Sequence, residues 1–495
     1  MTSLEGRPQS EAAATYSTGD EGGDLILNGG LPDQALSLII GPPGSGKTVF
    51  ALQIAFMAAQ AGRNVVYLTN TSESHVRLLQ QARHFAFFDE QVIRKNFNLI
   101  SINTHVQQQG VDATINYILD VARSAKADLL IIDNYMGLKQ LFQTQGTQGI
   151  NLMYTLISRL SLFAFTTMLI GTYGPDDIAT ESEFAIADAI VDLAHPLQGM
   201  QRQRLLSVMK LRGKPSLEGL HPFIISDAGI TVFPRQETIP IEDRAPSSEE
   251  RLSWGLAELD QMLAGGIFAR STTLLRGSAG SGKTTLGLQF LLAGAPDEPG
   301  LFVSFQETAA QLIHRLSQLG GSDQQLASLR IIHIRPVQLN LDMTAWQIRK
   351  LIATSGARRV VIDAVDQLLD TSPQGRQLGG FVAAFVAGLR EMNATVVLLQ
   401  ESSVLVGGGL VVSNDAPTVA ADTTIFIHAI ESEATVNRSI VVVKQRGSPH
   451  DRRLRHLDML DGKIVIGKPV SPANRDPATS PLLHSQLSGE EASHE

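Results

Sequence analysis

An eight-residue segment, Gly41, Pro42, Pro43, Gly44, Ser45, Gly46, Lys47, Thr48, returns 236 positions later as Gly277, Ser278, Ala279, Gly280, Ser281, Gly282, Lys283, Thr284. Its lead-in returns with it, Asn28-Gly29-Gly30-Leu31-Pro32-Asp33 before the first copy and Ala264-Gly265-Gly266-Ile267-Phe268-Ala269 before the second. Further on, Val208-Met209-Lys210-Leu211-Arg212-Gly213 recurs as Val442-Val443-Lys444-Gln445-Arg446-Gly447, at an offset of 234. Self-similarity held in register over such a length makes the chain a tandem repeat, so whatever unit it folds into is used twice. Between the copies, residues 234–250 hold three prolines, many charges and little to bury, the pattern of a linker. The expected layout is a disordered N-terminus over 1–23, a first domain over 24–234, a linker over 235–247, a second domain over 248–467 and a disordered tail over 468–495.

Inside each repeat, short aliphatic runs alternate with longer helical patterns. Ala35 to Ile40, Asn64 to Leu68, Leu129 to Ile132 and Thr167 to Ile170 have counterparts in Ser271 to Arg276, Leu301 to Phe305, Val360 to Ile362 and Thr395 to Leu399. Continuous apolar runs mark strands covered on both faces, which is the signature of a parallel sheet between helices. The fold class is α/β, two tandem P-loop NTPase domains, each with a mainly parallel sheet.

The repeated octapeptide matches G-x-x-x-x-G-K-[ST]. Its glycines let backbone N–H groups curl around phosphate oxygens at a helix start, where the dipole favours an anion. Lys47 and Lys283 would reach the β and γ phosphates, and the Thr48 and Thr284 hydroxyls would ligate Mg²⁺. Leu129-Leu130-Ile131-Ile132-Asp133 and Val360-Val361-Ile362-Asp363 are aliphatic runs ending in Asp. Beside a P-loop they place a carboxylate where it holds the metal directly or through water. Glu73 and Glu307, aligned through the helix that follows, could orient or deprotonate an attacking water. On spacing alone they serve equally well as caps at a helix N-terminus.

Composition narrows the remaining chemistry. The chain has no Cys, which excludes disulfide scaffolds, thiolate metal sites and Cys nucleophiles. Its 12 His contain no i, i+4 pair. A formal net charge of -9 gives no overall attraction to a polyanion. The N-terminus lacks a basic and apolar leader pattern. The uncharged stretch from Gln140 to Ser158 carries four Gln and is too polar to span a membrane. A soluble, cytoplasmic protein is expected.

The Gly-Gly-Leu-Pro lead-in, the Gly-Lys-Thr loops, Phe305-Gln306-Glu307-Thr308, the Lys-x-Arg-Gly strands and the duplication together resemble the KaiC family of RecA-like ATPases. The resemblance covers about residues 24–467. It implies ATP and Mg²⁺ as cofactors, two stacked ATPase rings in a homo-hexamer, and ATP held between neighbouring subunits. It also implies that Lys210 and Arg212, and Lys444 and Arg446, reach the γ-phosphate of the adjacent subunit, whereas the residues alone read equally as an exposed basic strand. Signalling or clock-type proteins are the further partners it suggests. Two features depart from the family. The first of two adjacent glutamates is replaced by Ser72 and by Gln306, and the Ser-Thr phosphoacceptor pair is replaced by Thr418 and Val419. A neutral side chain cannot accept a proton as a carboxylate does, so Ser/Thr autokinase activity should be weak or absent.

Two other readings share the nucleotide site. A RecA-like recombinase or helicase motor would grip single strands with cationic and aromatic loops. Residues 172–197 and 402–424 contain no Lys or Arg, which disfavours nucleic acid. An ATP-binding scaffold with decayed hydrolysis is disfavoured by the retained lysines, aspartates and Lys-x-Arg pairs.

Overall fold

The computed structural model describes residues 15–470 except 71–74, 103–104, 106–110, 145–148, 161–162, 175–176, 179–180, 199–200, 242–248, 336–339, 373–376, 403–414, 433–434 and 461. The chain divides into two compact units, residues 1–239 and 240–495.

The first unit opens with β1 (Thr15–Tyr16), α1 (Glu21–Ile26) and β2 (Leu31–Pro32). Its sheet strands are β3 (Leu36–Ile40), β4 (Val65–Thr69), β5 (Phe97–Ser101), β6 (Leu129–Asp133), β7 (Thr166–Ile170) and β8 (Ala189–Ala194). After a small hairpin of β9 (Leu197–Gln198) and β10 (Gln201–Arg202) come β11 (Leu205–Leu211), β12 (His221–Ser226) and β13 (Gly229–Val232). The order across the nine-stranded sheet is β13-β12-β11-β8-β3-β7-β6-β4-β5. From β5 to β8 every pairing is parallel, and from β8 to β13 every pairing is antiparallel.

Side chains alternate between the two faces of a strand, and here both faces are apolar. Ile39, Val65, Tyr67, Ile131, Met168 and Val191 face one core with α2 (Lys47–Gln60). Leu38, Val66, Leu68, Leu130, Ile132 and Leu169 face the other, against the helix Val111–Ser124. The α2 helix is buried on most sides, including Gln53. The Gln53 side-chain amide therefore bonds fully, donating to Thr18 O and Ile230 O at 2.9 and 3.1 Å and accepting from Ile230 N at 2.7 Å.

Those bonds correct the expectation for the N-terminus. Residues 15–23 are ordered: Tyr16 and Thr18 are buried, Tyr16 donates to Asp128 O at 2.9 Å, and Asp20 caps α1 while accepting from Val232 N. A polar composition concealed a segment whose few anchoring groups pair with distant backbone.

The second unit repeats the plan with β14 (Arg251–Leu252), β15 (Ile267–Phe268), β16 (Thr272–Gly277), β17 (Gly300–Ser304), β18 (Leu329–His333), β19 (Arg359–Asp363) and β20 (Thr395–Glu401), then β21 (Thr423–Ser432), β22 (Thr435–Gln445), β23 (Arg455–Leu460) and β24 (Lys463–Pro469). Its sheet runs β18-β17-β19-β20-β16-β21-β22-β23-β24, the same order as the first. The tail beyond 470 and residues 242–247 of the expected linker lie outside the described residues.

Candidate functional site

Each octapeptide forms the turn between the central strand and the helix behind it. Gly46 and Gly282 are the N-cap residues of α2 and of the helix Lys283–Gly294, with φ of 109° and 104°. This backbone favours glycine, and at Gly46 a Cβ would also meet Ile225 Cδ1 at 2.8 Å. Lys47 Nζ donates to Gly41 O at 2.8 Å and Pro42 O at 2.9 Å, folding the ammonium across the mouth of the loop. Lys283 Nζ does the same to Gly277 O and Ser278 O, both at 2.8 Å. Burial pushes both lysines below their ordinary value, opposed by Asp133 and Asp192 in the first repeat and by Asp363, Glu401 and Asp366 in the second.

The two expected metal-holding residues of each repeat meet. Thr48 Oγ1 donates to Asp133 Oδ2 at 2.9 Å, and Thr284 Oγ1 to Asp363 Oδ2 at 2.7 Å. Each Asp ends the strand next but one to the P-loop strand, so the sheet sets the spacing. A hydroxyl beside a carboxylate is a hard oxygen donor set suited to Mg²⁺. Burial raises both carboxyls, while the threonine hydrogen bonds and the nearby lysines pull them back down.

In the second repeat the loop opens onto a pocket of about 510 Å³ whose lining includes Lys283, Thr284, Gln306, Glu307, Arg315 and Asp363. Glu307 Oε1 is paired with Arg315 Nη1 at 3.1 Å, and the Glu307 N–H donates to Ser304 Oγ at 2.9 Å. Glu73 and Ser72 lie outside the described residues. Asn70 and Phe305 correspond, since the N–H of each donates to the carbonyl of Asp133 or Asp363. Four residues separate Asn70 from the start of α3 (His75–Ala82), and three separate Phe305 from the helix Ala309–Gln318. The match of Glu73 to Glu307 thus holds from the helix side alone.

The Lys-x-Arg pairs do not join the P-loop of their own repeat. Lys210 Nζ donates to Phe184 O and Ala185 O, and Arg212 to Ala185 O, Ile186 O and Asp188 Oδ1. Lys444 donates to Thr418 O and Ala421 O, and Arg446 to Val419 O. Both pairs hold carbonyls at the C-terminal end of a short helix, Ser182–Ile186 or Ala416–Ala420, where cations complement the dipole. Asp188, bonded to Arg212, precedes β8, whereas the loop glycine Gly41 packs against Leu193 O near the other end of that strand.

Motif spacing left several contributors unread. Arg204, just before β11, donates to Gly44 O at 3.0 Å and Ser45 O at 3.1 Å, and Arg438, 234 positions on, lines the second pocket. The repeat offset could have found that pair. Met459 and Gly462, at the β23–β24 hairpin, line the same pocket. Tyr67 donates to Asp133 Oδ2 at 2.7 Å, and no motif predicts it.

Comparison with known proteins agrees with this geometry. The family model described as "ATPase: KaiC" matches residues 16–237 and again 252–471. The circadian clock oscillator protein KaiC of Synechococcus elongatus is 27% identical over 93% of this chain and 90% of its own length. The circadian clock protein KaiC3 of a Synechocystis strain is 27% identical over 95% of both chains. The KaiC of Thermostichus vulcanus is 28% identical over 88% of this chain and 85% of its own. With a P-loop, a Thr–Asp pair and a distal Lys-x-Arg strand in each of two matched repeats, the chain belongs to the KaiC family of ATPases.

Proposed function

We propose that this protein hydrolyses ATP at two sites per chain, each completed by a second copy of the chain. One observation carries the reading. Arg204 reaches its own P-loop from one end of β11, while Lys210 and Arg212 sit toward the other end, eight residues from Arg204 to Arg212. At about 3.3 Å per residue that is about 26 Å, a span no side chain bridges. A cation pair so placed is out of reach of its own nucleotide, which supports a role toward one brought by a neighbouring copy, where it would stabilise charge on the transferring phosphoryl group.

In this reading the P-loop N–H groups with Lys47 or Lys283 hold the phosphates. Thr48 with Asp133, and Thr284 with Asp363, hold Mg²⁺. When bound, Mg²⁺ neutralises charge across the β and γ phosphates. Glu307 orients the attacking water in the second repeat and Glu73 in the first. Before Lys210 and Arg212 can act on a neighbour they must leave the carbonyls of the Ser182–Ile186 helix, which couples hydrolysis to assembly. In this reading the chain also assembles as a homo-hexameric ring in a cytoplasmic setting, and relatives named circadian clock proteins support a role as a signalling or timing switch. A nucleic-acid motor has less support, because residues 172–197 offer no cation to a phosphate backbone. Among the described residues no helix is long and apolar enough to cross a membrane.

The test mixes two chains, each impaired only at its first-repeat site. Arg212→Ala keeps its P-loops and Lys47→Ala keeps its Lys-x-Arg pairs, so subunit exchange should create interfaces with one intact first-repeat site. Phosphate release above that of either variant alone is expected. A mixture that never exceeds them, under conditions where exchange is demonstrated, rejects shared sites.

A further inference from the structure

We propose that Tyr67 is a positioning residue for the first-repeat metal site: its hydroxyl fixes the Asp133 carboxylate toward a divalent cation, a device that the second repeat lacks. The proposal rests on the nucleotide-site reading above. Tyr67 stands on β4 opposite Ile131, two residues before Asp133, and Phe302 stands on β17 opposite Val361, two residues before Asp363. The two rings are therefore equivalent in register, and both are completely buried. They differ by one oxygen. Tyr67 donates to Asp133 Oδ2 at 2.7 Å, and Thr48 donates to that same oxygen at 2.9 Å. Among the described residues, Asp363 Oδ2 accepts from Thr284 at 2.7 Å with no second side-chain donor.

Two donors from different elements, a strand and the P-loop helix, hold the Asp133 carboxylate by Oδ2, and among the described residues no donor engages Oδ1. Buried hydroxyls are mostly hydrogen-bonded, and Tyr67 is completely buried, so its contact is not a surface accident. The Tyr67 hydroxyl thus helps hold a buried carboxylate in one orientation. In the second repeat Asp363 lines the pocket with Arg315 and Glu307 and is held by the single Thr284 hydroxyl. Hydrogen bonds to a metal-ligating carboxylate commonly alter affinity about 10- to 100-fold.

The experiment titrates Mn²⁺ by electron paramagnetic resonance into full-length Lys283→Ala protein carrying ATP at the first repeat. Tyr67→Phe, isosteric but for the hydroxyl, should weaken Mn²⁺ binding about tenfold while ATP affinity measured in EDTA stays the same. Loss of fold alone would lower both together. The reciprocal Phe302→Tyr change, made in Lys47→Ala protein, should tighten Mn²⁺ at the second repeat. It keeps the test decisive if Tyr67→Phe does not fold. Equal Mn²⁺ affinity with and without the Tyr67 hydroxyl, or with and without a hydroxyl on residue 302, overturns the proposal. Absence of ATP-dependent Mn²⁺ binding in the parent overturns the nucleotide-site reading, and the proposal with it.

Discussion

Thr418 donates its hydroxyl hydrogen to Asp415 Oδ1 at 2.6 Å. The same hydroxyl accepts from Arg276 Nη1 at 3.1 Å, and Arg276 is itself paired with Asp415 at 3.1 Å. Thr418 is only 6% exposed, whereas its neighbour Val419, with no hydroxyl, is 58% exposed. The one acceptor retained where the resembled autokinases carry two is therefore turned inward and already hydrogen-bonded.

Autophosphorylation of Thr418 should be slow and far below one phosphate per chain after incubation with MgATP, as read by intact mass and peptide mapping. Gln306 cannot accept the hydroxyl proton, and loss of a general base costs about 10² to 10⁴ in rate. Gln306→Glu combined with Arg276→Ala should raise the phosphate at Thr418, because the first restores a base and the second removes one of the two hydrogen bonds that hold the hydroxyl. Rapid stoichiometric phosphate on the unmutated chain, insensitive to Gln306→Glu, would contradict this.

Nucleotide stoichiometry should be two per chain by equilibrium dialysis. Lys47→Ala and Lys283→Ala should each remove about one equivalent, since each lysine spans only its own loop carbonyls and offsets phosphate charge at that loop. Finding one site or none in the unmutated protein refutes it.

Asp133→Asn should abolish metal binding at the first repeat and yet stabilise the nucleotide-free protein at neutral pH. Burial raises the Asp133 carboxyl in the folded state, so the folded chain binds its proton more tightly than the unfolded chain does. As pH rises from the ordinary carboxylate value through the raised folded value, the unfolded state sheds protons first and stability falls. Each unit of that rise is worth about 1.4 kcal/mol. Melting curves of the two proteins should converge as pH drops toward the ordinary carboxylate value. A variant less stable than its parent at pH 7 would show that the Tyr67 and Thr48 hydrogen bonds outweigh desolvation.

Residues 1–239 and 240–495, expressed separately, should each unfold cooperatively. The cores of the first unit draw on residues from Tyr16 to Val232 and those of the second on residues from Leu252 to Ile466, with no member shared. Each piece is large enough to bury a core of its own. Calorimetry giving a broad, non-cooperative transition for either piece would place essential packing across the boundary.

The local parts of this molecule were readable along the chain. The duplication, the two P-loops, the aliphatic strands ending in Asp133 and Asp363, and the Lys-x-Arg strands are each contiguous, and their chemistry follows from neighbours within a few residues. Tertiary structure decided everything that depends on which strands lie side by side. Parallel pairing of β4 with β6 puts the Tyr67 hydroxyl on Asp133 across 66 positions, and antiparallel pairing of β8 with β11 sends Lys210 and Arg212 to the end of the sheet away from Gly41. Residues 15–23 were hidden for the same reason, because Thr18 is held through Gln53, on a helix the composition of that segment cannot foresee. Strand register joins residues whose separation in the chain carries no period, and pattern along a sequence reports only what repeats at the spacing of a helix, a strand or a motif.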